Sequence, residues 1–225
     1  MLITFIATGL IGLCILLLCE CLIRVLRIKG EYARKLVHIS IACYAATWAF
    51  FINPTGIALI SLILIGAVIV MQKYPIMRSL QTAQRITYGE LWYPLGIGLS
   101  AILFTNPIIY ALAVLHMGLA DGMAAVVGVS MGKRAGKFKI NNHTKSVAGT
   151  LAFIVVSFGI FLMYWLVFSN APLFRDSLLY ASIISLSSAV IVASIEVFAP
   201  KGSDNILVPI TAGLLAILPA IQFIV

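Results

Sequence analysis

Residues 107–130 run PIIYALAVLHMGLADGMAAVVGVS, twenty-four positions with one acid, Asp121, and no Lys or Arg. Coiled as a helix, such a run rises about 36 Å, enough to cross the ~30 Å hydrocarbon core of a bilayer. The rest of the chain repeats the theme. Of 225 residues, 62% are hydrophobic and 10% charged, and the mean hydropathy is +1.13. A soluble domain of this size has too small a core to hide that much apolar surface. We therefore expect an all-α, polytopic transmembrane bundle forming a single domain over residues 1–225. Eight spans at roughly 20 residues each would consume about 160 residues. No room remains for a separate soluble catalytic domain, so any active site is built from helix ends and short loops.

The eight apolar segments are 2–25, 36–52, 55–71, 90–105, 107–130, 147–169, 178–199 and 206–225. Asn53-Pro54 and Asn106-Pro107 mark tight breaks between them. The first segment lacks a basic leader and a small-x-small cleavage site, and is expected to be a retained helix. Cys14, Cys19, Cys21 and Cys43 lie in apolar runs without metal-ligand spacing. They are expected to be buried small residues.

The formal charge is +8. In a soluble protein this would point to nucleic acid; here it marks loops, and no nucleic-acid partner is expected. Fourteen of the fifteen basic residues fall in the loops after segments 1, 3, 5 and 7, leaving only Arg175 opposite. By the positive-inside rule these loops are cytoplasmic and both termini lie outside. A prokaryotic plasma membrane with the site on its cytoplasmic side is the expected setting.

A carboxylate inside a spanning helix is costly and demands a reason. Glu20 lies four residues before Arg24 and is expected to pair with it. Asp121 has no such local partner. Its helix face continues through Ala125, Gly128 and Gly132, bare enough for another backbone or a ligand to approach. Glu196 ends the seventh segment, and Asp204-Asn205 opens the eighth, where Asp204 could also cap the helix. Glu90 opens the fourth. His38 sits one turn from Arg34, with Lys35 beside it; a structural and a functional role are equally open. The loop GKRAGKFKINNHTKS carries five cations among glycines, a composition that suits a polyphosphate as well as an ordinary cytoplasmic loop. It is not a Walker A loop, because its spacing is one residue short and Arg134 replaces the Ser/Thr.

In order along the chain stand Arg34-Lys35-x-x-His38, Arg85-x-x-Tyr88-Gly89-Glu90, Ala120-Asp121-Gly122-Met123-Ala124 with Gly128 and Gly132, Lys145-Ser146-x-Ala148-Gly149-Thr150, and Glu196 followed by Asp204-Asn205-x-x-Val208-Pro209. This series resembles the membrane family of nucleotide-dependent polyprenol kinases: phytol, farnesol and dolichol kinases and the fungal CTP-dependent diacylglycerol kinase. Many relatives carry Glu where this chain has Ala148. The small residue is similar to the phytol- and farnesol-kinase-like branch, and it removes one acid from the site.

The resemblance implies a kinase joining CTP, or another nucleoside triphosphate, to an isoprenoid alcohol, with Mg²⁺ as cofactor. Asp121 would bind the metal, with Glu196 or Asp204 second. Lys133, Lys137 and Lys145 would hold phosphates beside Gly128 and Gly132, with Arg34 and Lys35 as further anion ligands. Asn205 would position a phosphate or the base, and His38, Glu90 or Asp121 itself would take the alcohol proton. A cytidylyltransferase making CDP-lipids would use a similar loop. A transporter would be expected to show inverted repeats, and none is visible.

Overall fold

A computed structural model describes residues 2–73, 89–140, 143–168, 176–200 and 202–221. Helix α1 spans Leu2–Val25, α2 Glu31–Ala45, α3 Pro54–Lys73 and α4 Gly89–Leu103. Helices α5 (Pro107–Leu115) and α6 (Asp121–Ser130) are joined by a π turn, His116–Ala120, into one rod. A two-stranded ribbon comes after the rod, β1 Lys137–Ile140 and β2 His143–Ser146. Then come α7 (Val147–Met163), α8 (Leu178–Phe198) and α9 (Asp204–Ile221).

The all-α expectation holds except at the ribbon. Gly136 takes a left-handed φ of 64° and ends the short 3-10 turn Gly132–Ala135 that follows the rod. Beyond it Lys137, Phe138, Lys139 and Ile140 alternate exposed and half-buried, the period of a strand rather than a helix.

Among the described residues, five helices are long and apolar enough to cross a membrane: Ile3–Val25, Pro54–Met71, Pro107–Ser130, Val147–Phe168 and Leu178–Phe198. The segments expected at 36–52 and 90–105 contain shorter helices. Each of α2 and α4 has fifteen residues, about 22 Å of rise against a ~30 Å core. The tight links behave as expected. The Asn53 side chain accepts from Gly56 N at 2.7 Å. Asn106 caps α5 by accepting from Ile108 N at 2.9 Å and Ile109 N at 3.3 Å, with Pro107 at the first helical position.

The rod of α5 and α6 is the centre, with 61% of its span buried against 22% for α1 and 17% for α3. One side meets α7, α8 and α9 in a core around Phe153, Phe161, Trp165, Val192 and Val208. The other meets α2, α3 and α4 around Trp48, Ile57, Ile97, Tyr110 and Met117. On α1, Ile3, Leu10 and Leu18 stay exposed, as expected for side chains facing lipid tails.

The cysteine expectation is corrected by the exposures. Only Cys19 is buried; Cys14, Cys21 and Cys43 are exposed. In a bilayer an apolar side chain gains as much from lipid as from protein, so hydrophobicity does not determine which side it takes.

Small residues set the crossings. A Cβ added at Gly118 would overlap Ala42, and one at Gly122 would overlap Ile39, so α2 lies directly on the rod. Across the rod, a Cβ at Gly128 would stand 2.6 Å from Ser146 Oγ, and one at Gly149 would stand 2.8 Å from Ala124 O. The bare face read from Asp121 to Gly132 is thus filled at Gly128 by the start of α7. These two contacts bring α2 and β2 to either side of Asp121.

Candidate active site

Asp121 opens α6, directly after the π turn and about 13 Å inside the end of the rod at Ser130. A π turn adds a residue to the helical cycle and re-aims the side chains beyond it; such turns recur at functional sites. The Asp121 side chain is 13% exposed and pairs through Oδ2 with Lys35 of α2, itself 4% exposed. His38, one turn along α2, places Nε2 3.6 Å from the same oxygen.

The second carboxylate, Glu196, lies in the last turn of α8 with its side chain 6% exposed, and pairs with Lys145 of β2. Lys145 Nζ is also 4.0 Å from Asp204 Oδ2, at the start of α9. Burial alone would lower the Lys145 ammonium. The carboxylates of Glu196, Asp204 and Asp121 outweigh that cost and hold it above its ordinary value. One oxygen from each of Asp121, Glu196 and Asp204 lies within 4.8 Å of the others. Mg²⁺ is a hard cation that takes a few carboxylate oxygens and keeps several waters. Three hard oxygen donors gathered this closely fit such an ion.

His38 is held on three sides. Its ring packs against Tyr93 of α4, tilted at 42° with centroids 4.1 Å apart. Tyr93 Oη donates to His38 O at 2.8 Å. Nε2 faces Met117 O at 3.2 Å, and a carbonyl can only accept, so this nitrogen carries the proton. The nitrogen nearest Asp121 is therefore a donor. Sequence reasoning misses Tyr93; its position three residues after Glu90, on the same helix face, is the available signal.

The remaining expected residues divide. Asn205, 8% exposed, donates its amide to Gly89 O at 3.0 Å. It ties the start of α9 to the start of α4, fixing Asp204 and Glu90 near one another. Arg34 pairs with Glu31, with Nε 3.1 Å from Oε2. Burial works against its charge, but Glu31, then Asp121 and Glu90, more than restore it.

Gly128 is used in packing, and Gly132, at φ 52°, turns the chain with open space around it. Lys133 lies beyond the end of the rod, in the turn Gly132–Ala135. Lys137 is set apart from Lys145. In the ribbon Lys137 opposes Ser146 and Phe138 opposes Lys145, so Lys137 and Lys145 project from opposite faces. The strand period, not visible in a loop reading, separates these two cations. Glu20 pairs with Arg24 as expected, Arg24 Nε donating to Oε1 at 2.7 Å. Arg85 and Tyr88 of the expected motif, with Arg78, Asn142, Arg175 and Lys201, lie outside the described residues.

Five elements from distant parts of the chain thus deliver three carboxylates, two ammonium groups and a fixed imidazole to one end of the bundle. No family profile and no solved structure matches the chain. The phytol kinase of Synechocystis sp. is 30% identical over 210 residues, covering 90% of this chain and 85% of the relative. The chain belongs to the phytol and polyprenol kinase family. As a polyprenol kinase-like protein it is a phosphotransferase acting on an isoprenoid alcohol, and a nucleotide supplies the phosphate.

Proposed function

We propose that the protein transfers the γ-phosphate of CTP to the hydroxyl of a long-chain isoprenoid alcohol, such as phytol, geranylgeraniol, farnesol or a polyprenol, at the Asp121 cluster. The observation that carries this reading is the meeting of Asp121, Glu196 and Asp204 within 4.8 Å, flanked by Lys35 and Lys145. Asp121, Glu196 and Asp204 would hold Mg²⁺, whose positive charge would offset the negative charge of the phosphates.

Every other part of the mechanism belongs to the chain. Phosphoryl transfer is mostly positioning plus electrostatic stabilisation. Lys145 and Lys35 face the phosphates as point charges. Asp121 receives the alcohol proton, with Lys35 orienting its carboxylate and the His38 ring, fixed by Met117 O, walling its side. Asn205 and Tyr93 act as positioning residues through Gly89 and His38. The acceptor's apolar tail stays in the bilayer, entering sideways between helices, while the nucleotide arrives from water.

The test is incubation of purified protein with γ-labelled CTP, UTP or ATP and a panel of isoprenoid alcohols. Label is expected in the lipid from CTP, with CDP as the second product. Release of pyrophosphate with a CDP-lipid would overturn the kinase chemistry in favour of nucleotidyl transfer.

The proposed site is cytoplasmic, with both termini outside, since the loops after segments 1, 3, 5 and 7 hold nearly all the positive charge. In a background without the four native cysteines, an impermeant thiol reagent added outside intact cells should label a cysteine at position 173 and miss one at 140. Labelling of 140 from outside would put the site in the wrong compartment for a nucleotide donor.

A further inference from the structure

The two most buried carboxylates of the trio each have an ammonium partner. Lys35 is buried and reaches Asp121 from another helix. Lys145 reaches Glu196 from the ribbon and stands 4.0 Å from Asp204. Three carboxylates and two ammonium groups leave one net negative charge. A divalent ion entering alone would turn this into one net positive charge, in surroundings that solvate charge poorly. It would also meet two ammonium groups among the oxygens it must gather. Entering with a triphosphate it brings its own excess of negative charge, and the lysines gain new acceptors. Lysine suits such a move, because its charge rides on a flexible four-carbon stem.

We propose that Lys35 and Lys145 are stand-in cations. They neutralise the carboxylate trio before substrate binds, keep a free divalent ion from settling there, and transfer to the triphosphate when metal and nucleotide arrive together. This rests on the trio being the metal site of the proposed kinase. Metal and nucleotide then bind with positive coupling, and such couplings typically amount to about five- to hundredfold in affinity.

Mn²⁺ without nucleotide is the probe, titrated against the purified full chain in detergent and followed by electron paramagnetic resonance. Lys35→Met should bind Mn²⁺ at least about tenfold more tightly than the unaltered protein, within the usual range of site-to-site coupling. Lys35→Arg, which keeps the charge, should stay weak. Lys145→Met should also gain affinity; its side chain is more exposed, at 21%, so it decides the question if Lys35→Met fails to fold. Affinities in both Met variants equal to or below that of the unaltered protein overturn the proposal and leave the two lysines as fixed structural partners. Tight Mn²⁺ binding by the unaltered protein, with turnover intact, overturns the stand-in role alone. No Mn²⁺ binding by any of these proteins, with kinase activity present, removes the trio as the metal site and the proposal with it.

Discussion

Asp121→Asn should lower kinase turnover by at least about tenfold, a barrier increase of ~1.4 kcal/mol or more. Asparagine keeps the shape of aspartate, so a residue needed only for packing tolerates it. A metal ligand and proton acceptor does not, because a neutral amide supplies neither the charge nor the basic oxygen. The ion pair with Lys35 adds a second effect that can be separated. Removing one partner of a buried pair strands the other, at a cost of about 3–5 kcal/mol. Part of the loss in Asp121→Asn alone can therefore be loss of fold. The double variant Asp121→Asn with Lys35→Met removes both charges and should recover thermal stability while remaining inactive. Turnover above about a tenth of the unaltered level, in either variant, rejects an essential carboxylate at 121.

Lys145→Ala should reduce catalytic efficiency for the nucleotide by about ten- to hundredfold, the loss of a charge-assisted contact worth roughly 1.5–3 kcal/mol. The structure adds a contrast that composition does not give. Lys137 lies eight residues away in the same basic segment, yet it opposes Ser146 across the ribbon and faces away from Glu196. Lys137→Ala should change nucleotide efficiency by less than about threefold, in the range of an exposed charge. Steady-state kinetics with CTP varied at saturating alcohol measures both, and Arg24→Ala, whose partner is Glu20, is the control. Equal losses from Lys145 and Lys137 would mean that the segment acts through its bulk positive charge and that the face of the ribbon is immaterial.

Much of the site's chemistry is legible in the sequence because the bilayer penalises polar atoms. Asp121 in an apolar run, Glu196 at the end of another and Asp204 just after it stand out for what their neighbours lack. The motif series Arg34-Lys35-x-x-His38 through Asp204-Asn205 then points to the family. What each residue touches is far less legible. Lys35 reads only as a phosphate ligand, and the structure gives it a second partner, Asp121, 86 positions away. Asn205 reads as a nucleotide contact and holds Gly89 O. Gly128 reads as part of a phosphate cradle and seats the start of α7. The cysteines mislead for a related reason, since inward and outward faces of a membrane helix can be equally apolar.

By itself the sequence determined the apolar helices, their breaks at Asn53-Pro54 and Asn106-Pro107, and the presence of carboxylates in costly places. These are local properties, set by hydropathy, backbone chemistry and the penalty for burying charge. The tertiary structure decided the pairings. Whether Lys35 meets Asp121, and whether Lys145 or Lys137 meets Glu196, depends on where Gly118 lets α2 touch the rod and on the two-residue period of the ribbon. Those contacts join residues 51 and 86 positions apart, and only helix packing fixes which of several nearby cations reaches each acid.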